Sequence, residues 1–228
     1  MTTAALNSLD QLLRAPGDFM RALDGRGHQR VATRTAFVTI LVCGAIFGGA
    51  VGFYRGGLQT LYAAVKFPAV LLLTVALVTP LLSAIKVALG STLELAKDTA
   101  LLLSAVAMSS VIMAAASPLI VLAYSYAIAY HEAVLMVVGC GLAGGLGGVF
   151  CVFKGLERFD YGQKATVIFT MLVAFMLVGT QLAWTARPFL LRPKAEAPVF
   201  FRATEGSFLE SVTTSIRSSQ GDYRIDSE

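Results

Sequence analysis

Five long apolar runs, roughly residues 36–54, 67–85, 99–127, 133–153 and 165–184, fill most of this chain, and none of them holds an acidic side chain. About 20 helical residues cross the ~30 Å hydrocarbon layer of a bilayer, and each run is about that long. Lipid offers no water to satisfy backbone N–H and C=O groups, so such runs satisfy them internally as helices. The fold class that follows is all-α: a polytopic transmembrane helical bundle of about five spans.

Composition agrees. Of 228 residues, 56% are hydrophobic and only 14% charged, far from the average for soluble domains. The chain divides into an N-terminal tail (1–35), a five-span domain (36–186) and a C-terminal tail (187–228). The net charge of +4 comes from bases scattered at span ends and in the tails. Without a basic stripe interleaved with aromatics, nucleic acid is not an expected partner. The first 35 residues are polar, with five arginines and Pro16-Gly17, so no signal-peptide cleavage is expected.

The distribution of bases orients the spans. With the N-terminus in the cytoplasm, the inside segments hold Arg14, Arg21, Arg26, Arg30, Arg34, Lys86, Lys97, Lys154, Arg158 and Lys164, and the outside loops hold Arg55 and Lys66. The positive-inside rule therefore predicts a cytoplasmic N-terminus in a bacterial inner (cytoplasmic) membrane. Five crossings put the C-terminus outside. Four crossings, with the Pro68 to Pro80 segment re-entrant, would return it to the cytoplasm.

Both tails carry amphipathic patterns. Leu6, Leu9 and Leu13 recur at helical spacing, Pro16-Gly17 interrupts, and Asp18 caps a second short helix through Phe19 to Leu23. The leucine stripe suits the membrane surface or a docking partner, the surface being the simpler choice. After the last run, Trp184 and Arg187 form an interface anchor, and Ser207 to Glu210 opens a second amphipathic helix with Phe208, Leu209, Val212 and Ile216 on one face.

Gly44, Gly48, Gly52 and Gly56 fall every fourth residue down the first run, and the fourth run carries the pairs Gly141/Gly145 and Gly144/Gly148. Small residues at this spacing let helix backbones approach closely in lipid. Packing of spans one and four within one chain is the simplest use, and self-association through the same faces is the alternative. Pro80 and Pro118 lie within the second and third runs and are expected to kink them. Ser91 to Glu94 forms an S-x-x-E box, so the third helix is expected to begin before its membrane segment.

Few positions break the apolar pattern. Lys66-Phe67-Pro68 places a base against the second run with a proline suited to a first helical turn, and Lys86 closes that run. Both lysines are expected to snorkel to opposite headgroup layers; the functional alternative joins Arg55 and Lys66 in an outer anion or headgroup site. Tyr124, Tyr126 and Tyr130 read as an interfacial aromatic belt, with His131 and Glu132 beside them. Cys43, Cys140 and Cys151 sit inside the apolar runs, and with His28 and His131 the only histidines, no metal or cofactor is expected. Nucleotide-binding and hydrolase motifs do not occur, and no carboxylate lies deep in a run, so neither catalysis nor a carboxylate proton relay is expected.

The segment Leu12-Leu13-Arg14-Ala15-Pro16 to Phe19, the Leu89-Gly90-Ser91 turn leading to a helix with Pro118, and five spans in N-in order resemble the bacterial Yip-domain family over about residues 10–184. Eukaryotic Yip-domain proteins are non-enzymatic membrane adaptors in vesicle traffic that bind small GTPases, whereas the bacterial relatives have no settled role, so what the resemblance implies is an adaptor. The long segment after Trp184 departs from the family plan. The expected role is therefore a scaffold, adaptor or subunit of a membrane complex, with protein partners or self-association. Alternatives are a small oligomeric channel or permease built on the glycine-rich helices and, more weakly, a lipid-modifying enzyme using Lys66 and His131.

Overall fold

A computed structural model describes residues 3–22, 25–90, 95–126, 128–156 and 161–186. They form seven helices: α1 (Thr3–Arg14), α2 (Pro16–Ala22), α3 (Arg26–Gly52), α4 (Leu58–Ala88), α5 (Leu95–Ser125), α6 (Tyr130–Gly155) and α7 (Tyr161–Thr185). Helices α3 to α7 are each long and apolar enough to cross a membrane. The chain is an all-α polytopic bundle. The Ser91 to Glu94 box, Arg187 and the expected C-terminal helix lie outside the described residues, as does the side chain of Trp184.

Helices α3, α4 and α5 pack on one another at the centre, α6 lies along α5 and α7 along α4. The larger of two apolar clusters threads this centre, with Ile40, Val78, Leu82 and Leu102 all but sealed from the surface. On the outside the polarity is inverted relative to a soluble protein: Leu61, Leu119, Leu146, Phe169 and Leu177 are each more than half exposed. An apolar exterior of this extent is stable against hydrocarbon and not against water.

Helix α4 is continuous where the re-entrant alternative calls for a break. Its 31 residues run without interruption through Pro68 and Pro80, spanning about 46 Å at 1.5 Å per residue. The re-entrant alternative would need irregular backbone, and the segment has none. Pro80 is exposed on the outer face. Two neighbouring hydroxyls bond back along the helix, Thr74 Oγ1 donating to the Val70 carbonyl at 2.8 Å and Thr79 Oγ1 to the Val75 carbonyl at 2.7 Å. Helix α5 likewise continues past Pro118.

The start of α4 departs from the sequence reading. The helix begins at Leu58, not next to Phe67, so Pro68 occupies its interior and not its first turn. Pro68 is buried there, against Gly44 of α3. The reversal between α3 and α4 is confined to residues 53–57, where Gly56 (φ +79°) and Gly57 (φ +62°) adopt the left-handed conformation that side chains disfavour. Gly56 thus belongs to the turn and not to the helical glycine row, because α3 ends at Gly52.

The N-terminal helices are the second departure. They pack onto the chain's own bundle, α1 against α3 and α2 against α6. Leu12 and Phe19 are 2% and 4% exposed and belong to the same apolar cluster as Ala36, Leu101 and Leu156, with Leu9 against it. The buried face therefore runs through Leu9 and Leu12, and Leu13 points outward, 40% exposed. A stripe that suits the membrane surface equally suits the apolar end of a bundle, and the covalently tethered surface is the one it covers.

Candidate functional site

The glycine rows are the most site-like feature of the sequence, and each has a definite neighbour. A Cβ at Gly44 would lie 3.1 Å from Pro68 Cβ, one at Gly48 would meet the Ala63 carbonyl and Phe67, and one at Gly52 would lie 2.7 Å from the Gln59 carbonyl oxygen and 2.8 Å from Thr60 Cα. The α3 row is thus filled by the backbone of α4. On α6, a Cβ at Gly144 would lie 2.9 Å from the Ser109 carbonyl oxygen of α5, and one at Gly148 would lie 3.1 Å from that of Ala105. Spans one and four therefore do not use their glycines on each other. Each packs on its sequence neighbour, where the short connections hold the helices antiparallel and side by side.

The second α6 pair differs. Around a Cβ at Gly141 or Gly145 there is open space within 4 Å, as at Gly139. Leu142 and Leu146, between and beyond them, are 59% and 73% exposed. Helix α6 thus presents one glycine ridge to α5 and leaves another facing outward, and it makes few contacts with α7.

Lys86 and Lys66 do not snorkel. Lys86 is buried and forms an ion pair with Asp98 from the first turn of α5. The second oxygen of that carboxylate accepts a hydrogen bond from Ser83 Oγ at 2.6 Å. Ser83 and Lys86 stand three residues apart on α4, so both project onto one face and grip the carboxylate from the same side. Burial makes this arrangement possible and necessary: a charge removed from water is tolerated when paired and hydrogen-bonded. Sequence reasoning passed over Asp98 because it precedes the third apolar run by one residue. The available signal was its position just across the α4–α5 turn from Lys86.

Lys66 is 3% exposed and shares an inward α4 face with Gln59 and Ala63, at i, i+4 and i+7. It is the ninth residue of α4, about 12 Å along the helix. Arg55 remains in the turn. Lys66 is thus sealed inside the bundle while Arg55 stays in the turn, so the two bases do not share an exposed surface.

At the same end, aromatic residues tie helix termini together. The ring of Tyr54 stands edge-on to that of Tyr124 at 5.0 Å and tilted to that of Tyr130 at 6.3 Å. Its hydroxyl donates to the Ile128 carbonyl at 3.1 Å. Tyr124 packs against the apolar cluster of Phe47, Val51, Met113 and Ile120. Of the three expected belt tyrosines, Tyr126 is the largely exposed one, at 78%, and Tyr124 and Tyr130 instead join α5 and α6 to the end of α3. Tyr130 also stacks edge-on with His131 at 5.6 Å, and Glu132 accepts the Ala129 N–H at 3.1 Å, capping α6. Both ionisable neighbours thus have local structural work.

No family model, curated protein or solved structure matches this chain.

Proposed function

We propose that this multi-pass membrane protein is a non-catalytic adaptor or subunit that packs a further transmembrane helix against the open side of α6. One observation carries this reading: α6 has two glycine ridges, and α5 occupies Gly144 and Gly148 while Gly141 and Gly145 face open space. In lipid, helices associate through close backbone approach and dispersion, which a small-residue ridge permits. The resemblance to the Yip-domain family, whose eukaryotic members are non-enzymatic membrane adaptors, points the same way. Interior packing also favours it over a pore within one chain. Ile40, Leu82 and Leu102 fill the bundle, and the buried hydroxyls of Thr79, Ser104 and Ser110 donate to carbonyls of their own helices. The proposed setting is the cytoplasmic membrane with the N-terminus inside.

The test places a cysteine at Gly145 in a chain whose Cys43, Cys140 and Cys151 are replaced, followed by oxidative cross-linking in native membranes. An adduct of dimer or heteromer size at Gly145→Cys, absent when Phe169→Cys on α7 is used instead, is the expected result. No adduct at Gly145, or equal adducts at both positions, would sink the docking role of α6. Solute flux from liposomes holding the purified chain would replace this reading with the channel alternative.

A further inference from the structure

A cleft of about 790 Å³ lies between the N-terminal ends of α3 and α5. Arg30, Arg34 and Phe37 line its α3 wall at i, i+4 and i+7, so the three share one helix face, and Gln29 and Thr33 border them. Ala96 and Thr99 form the α5 wall. The side chains of Arg30, Arg34 and Phe37 are exposed, and among the described residues no ion pair or side-chain hydrogen bond engages either arginine. The nearest acid in sequence, Asp98, is buried and committed to Lys86 and Ser83. Among the described residues, the cleft is thus lined by two cations and no carboxylate.

Its depth in the molecule is equally specific. Arg34 precedes the first apolar run by two residues, Phe37 is the second residue of that run, and Thr99 opens the third. The lining therefore straddles the boundary between water and hydrocarbon on one membrane face, with guanidinium groups on the polar side and a 43% exposed phenyl ring on the apolar side. Guanidinium forks match phosphate oxygens in charge and bidentate geometry. A soluble anion has no use for the phenylalanine, whereas a lipid phosphate brings acyl chains that lie along it.

We propose that the cleft between the N-terminal ends of α3 and α5 binds the phosphate of an anionic lipid headgroup through Arg30 and Arg34. The site is independent of the α6 docking face, which lies on another helix and carries no charge. Retention of anionic lipid by the bundle follows, and the leaflet on the α3 N-terminal side is the one that supplies it.

The test is a titration of the purified full chain in detergent with phosphatidylglycerol or phosphatidylcholine of equal chain length, followed by native mass spectrometry. Phosphatidylglycerol adducts are expected to dominate on the unaltered chain. In R30Q/R34Q they should weaken roughly 30-fold, at about 1 kcal/mol for each arginine near an anionic surface. R55Q, in the turn at the opposite end of α3, should leave them unchanged. Thr33→Trp fills the cleft without altering charge and should also weaken them. Equal adducts in R30Q/R34Q and the unaltered chain, with helicity matched by circular dichroism, overturn the proposal. Undiminished binding in Thr33→Trp overturns it too, because the arginines would then act outside the cleft. Displacement of the lipid by an equal concentration of inorganic phosphate would assign the site to a soluble anion and overturn the lipid assignment.

Discussion

Lys86 near the end of α4 and Asp98 in the first turn of α5 form an ion pair sealed inside the bundle, with side-chain exposures of 8% and 1%. Removing one partner leaves the other charge buried and uncompensated, which typically costs about 3–5 kcal/mol. Lys86→Ala and Asp98→Ala are each expected to destabilise the purified chain by that amount in a denaturant titration. The double variant K86M/D98L should recover most of the loss, because two apolar residues of similar volume leave no stranded charge. A double variant no more stable than either single one would show that the pair has a net stabilising role beyond mutual neutralisation.

The contrast between Gly52 and Gly141 supplies a second prediction. A Cβ at Gly52 would sit 2.7 Å from the Gln59 carbonyl oxygen, a backbone atom that moves only if α4 moves, whereas one at Gly141 meets nothing within 4 Å. Overpacking of this sort costs about 1–3 kcal/mol. Gly52→Ala should show that loss in thermal unfolding, and Gly141→Ala should stay within about 0.5 kcal/mol of the unaltered chain. Equal losses at the two positions would mean that the close α3–α4 approach at Gly52 is not what the added methyl disturbs, since helix propensity alone favours alanine at both.

Tyr54 has two separable functions, ring packing and a hydrogen bond to the Ile128 carbonyl at 3.1 Å. Tyr54→Phe keeps the ring and removes the donor, so a loss of about 0.5–1.5 kcal/mol is expected. Tyr54→Ala removes both and should cost about 3–5 kcal/mol. Amide hydrogen exchange across residues 126–130 should quicken in the phenylalanine variant, since the hydroxyl is what holds the α5–α6 connection to α3. Unchanged exchange there would mean that ring stacking alone holds it.

Much of this was legible in the sequence. Length and hydropathy suffice for five spans because the bilayer enforces both, and glycine spacing identifies close helix contacts. It does not identify partners: Gly48 reads the same whether it faces α4 or α6, and only the five-residue reversal at 53–57 decides. Single charges were the hardest to place. Lys86 and Lys66 stand at the edges of hydropathy windows, where snorkelling and burial give the same pattern. What distinguishes them is a partner such as Asp98, 12 positions away in sequence and adjacent in space. Leu12 and Leu13 illustrate the remaining gap, since one position of helical rotation decides which of two neighbouring leucines is buried.

The odd number of spans has a consequence for the chain ends. Five crossings place the segments before α3 and after α7 on opposite faces, and under the proposed cytoplasmic N-terminus the segment after α7 lies outside. A cysteine introduced at Ser218, beyond the described residues, should therefore react with an impermeant maleimide in intact cells when the three native cysteines are replaced. Reaction only after permeabilisation would require an inverted bundle or one of the helices α3 to α7 not crossing.

Docking of the N-terminal helices yields a last prediction with a local readout. Phe19 is 4% exposed and shares an apolar cluster with Leu156 at the end of α6, so Phe19→Ala removes an anchor worth about 3–5 kcal/mol at a buried phenylalanine site. Helices α1 and α2 cross no membrane, and their release leaves α3 to α7 intact. The free energy should therefore appear as local opening and not as loss of the bundle. Limited trypsin digestion at Arg14 and Arg21 should accelerate by at least about 100-fold in Phe19→Ala, while thermal unfolding of the remaining bundle shifts little. Leu13→Ala, at a 40% exposed position, should leave the cleavage rate nearly unchanged. If Leu13→Ala accelerated cleavage as much as Phe19→Ala, the stripe would be lying on the membrane through its outer leucines and not closing the end of the bundle.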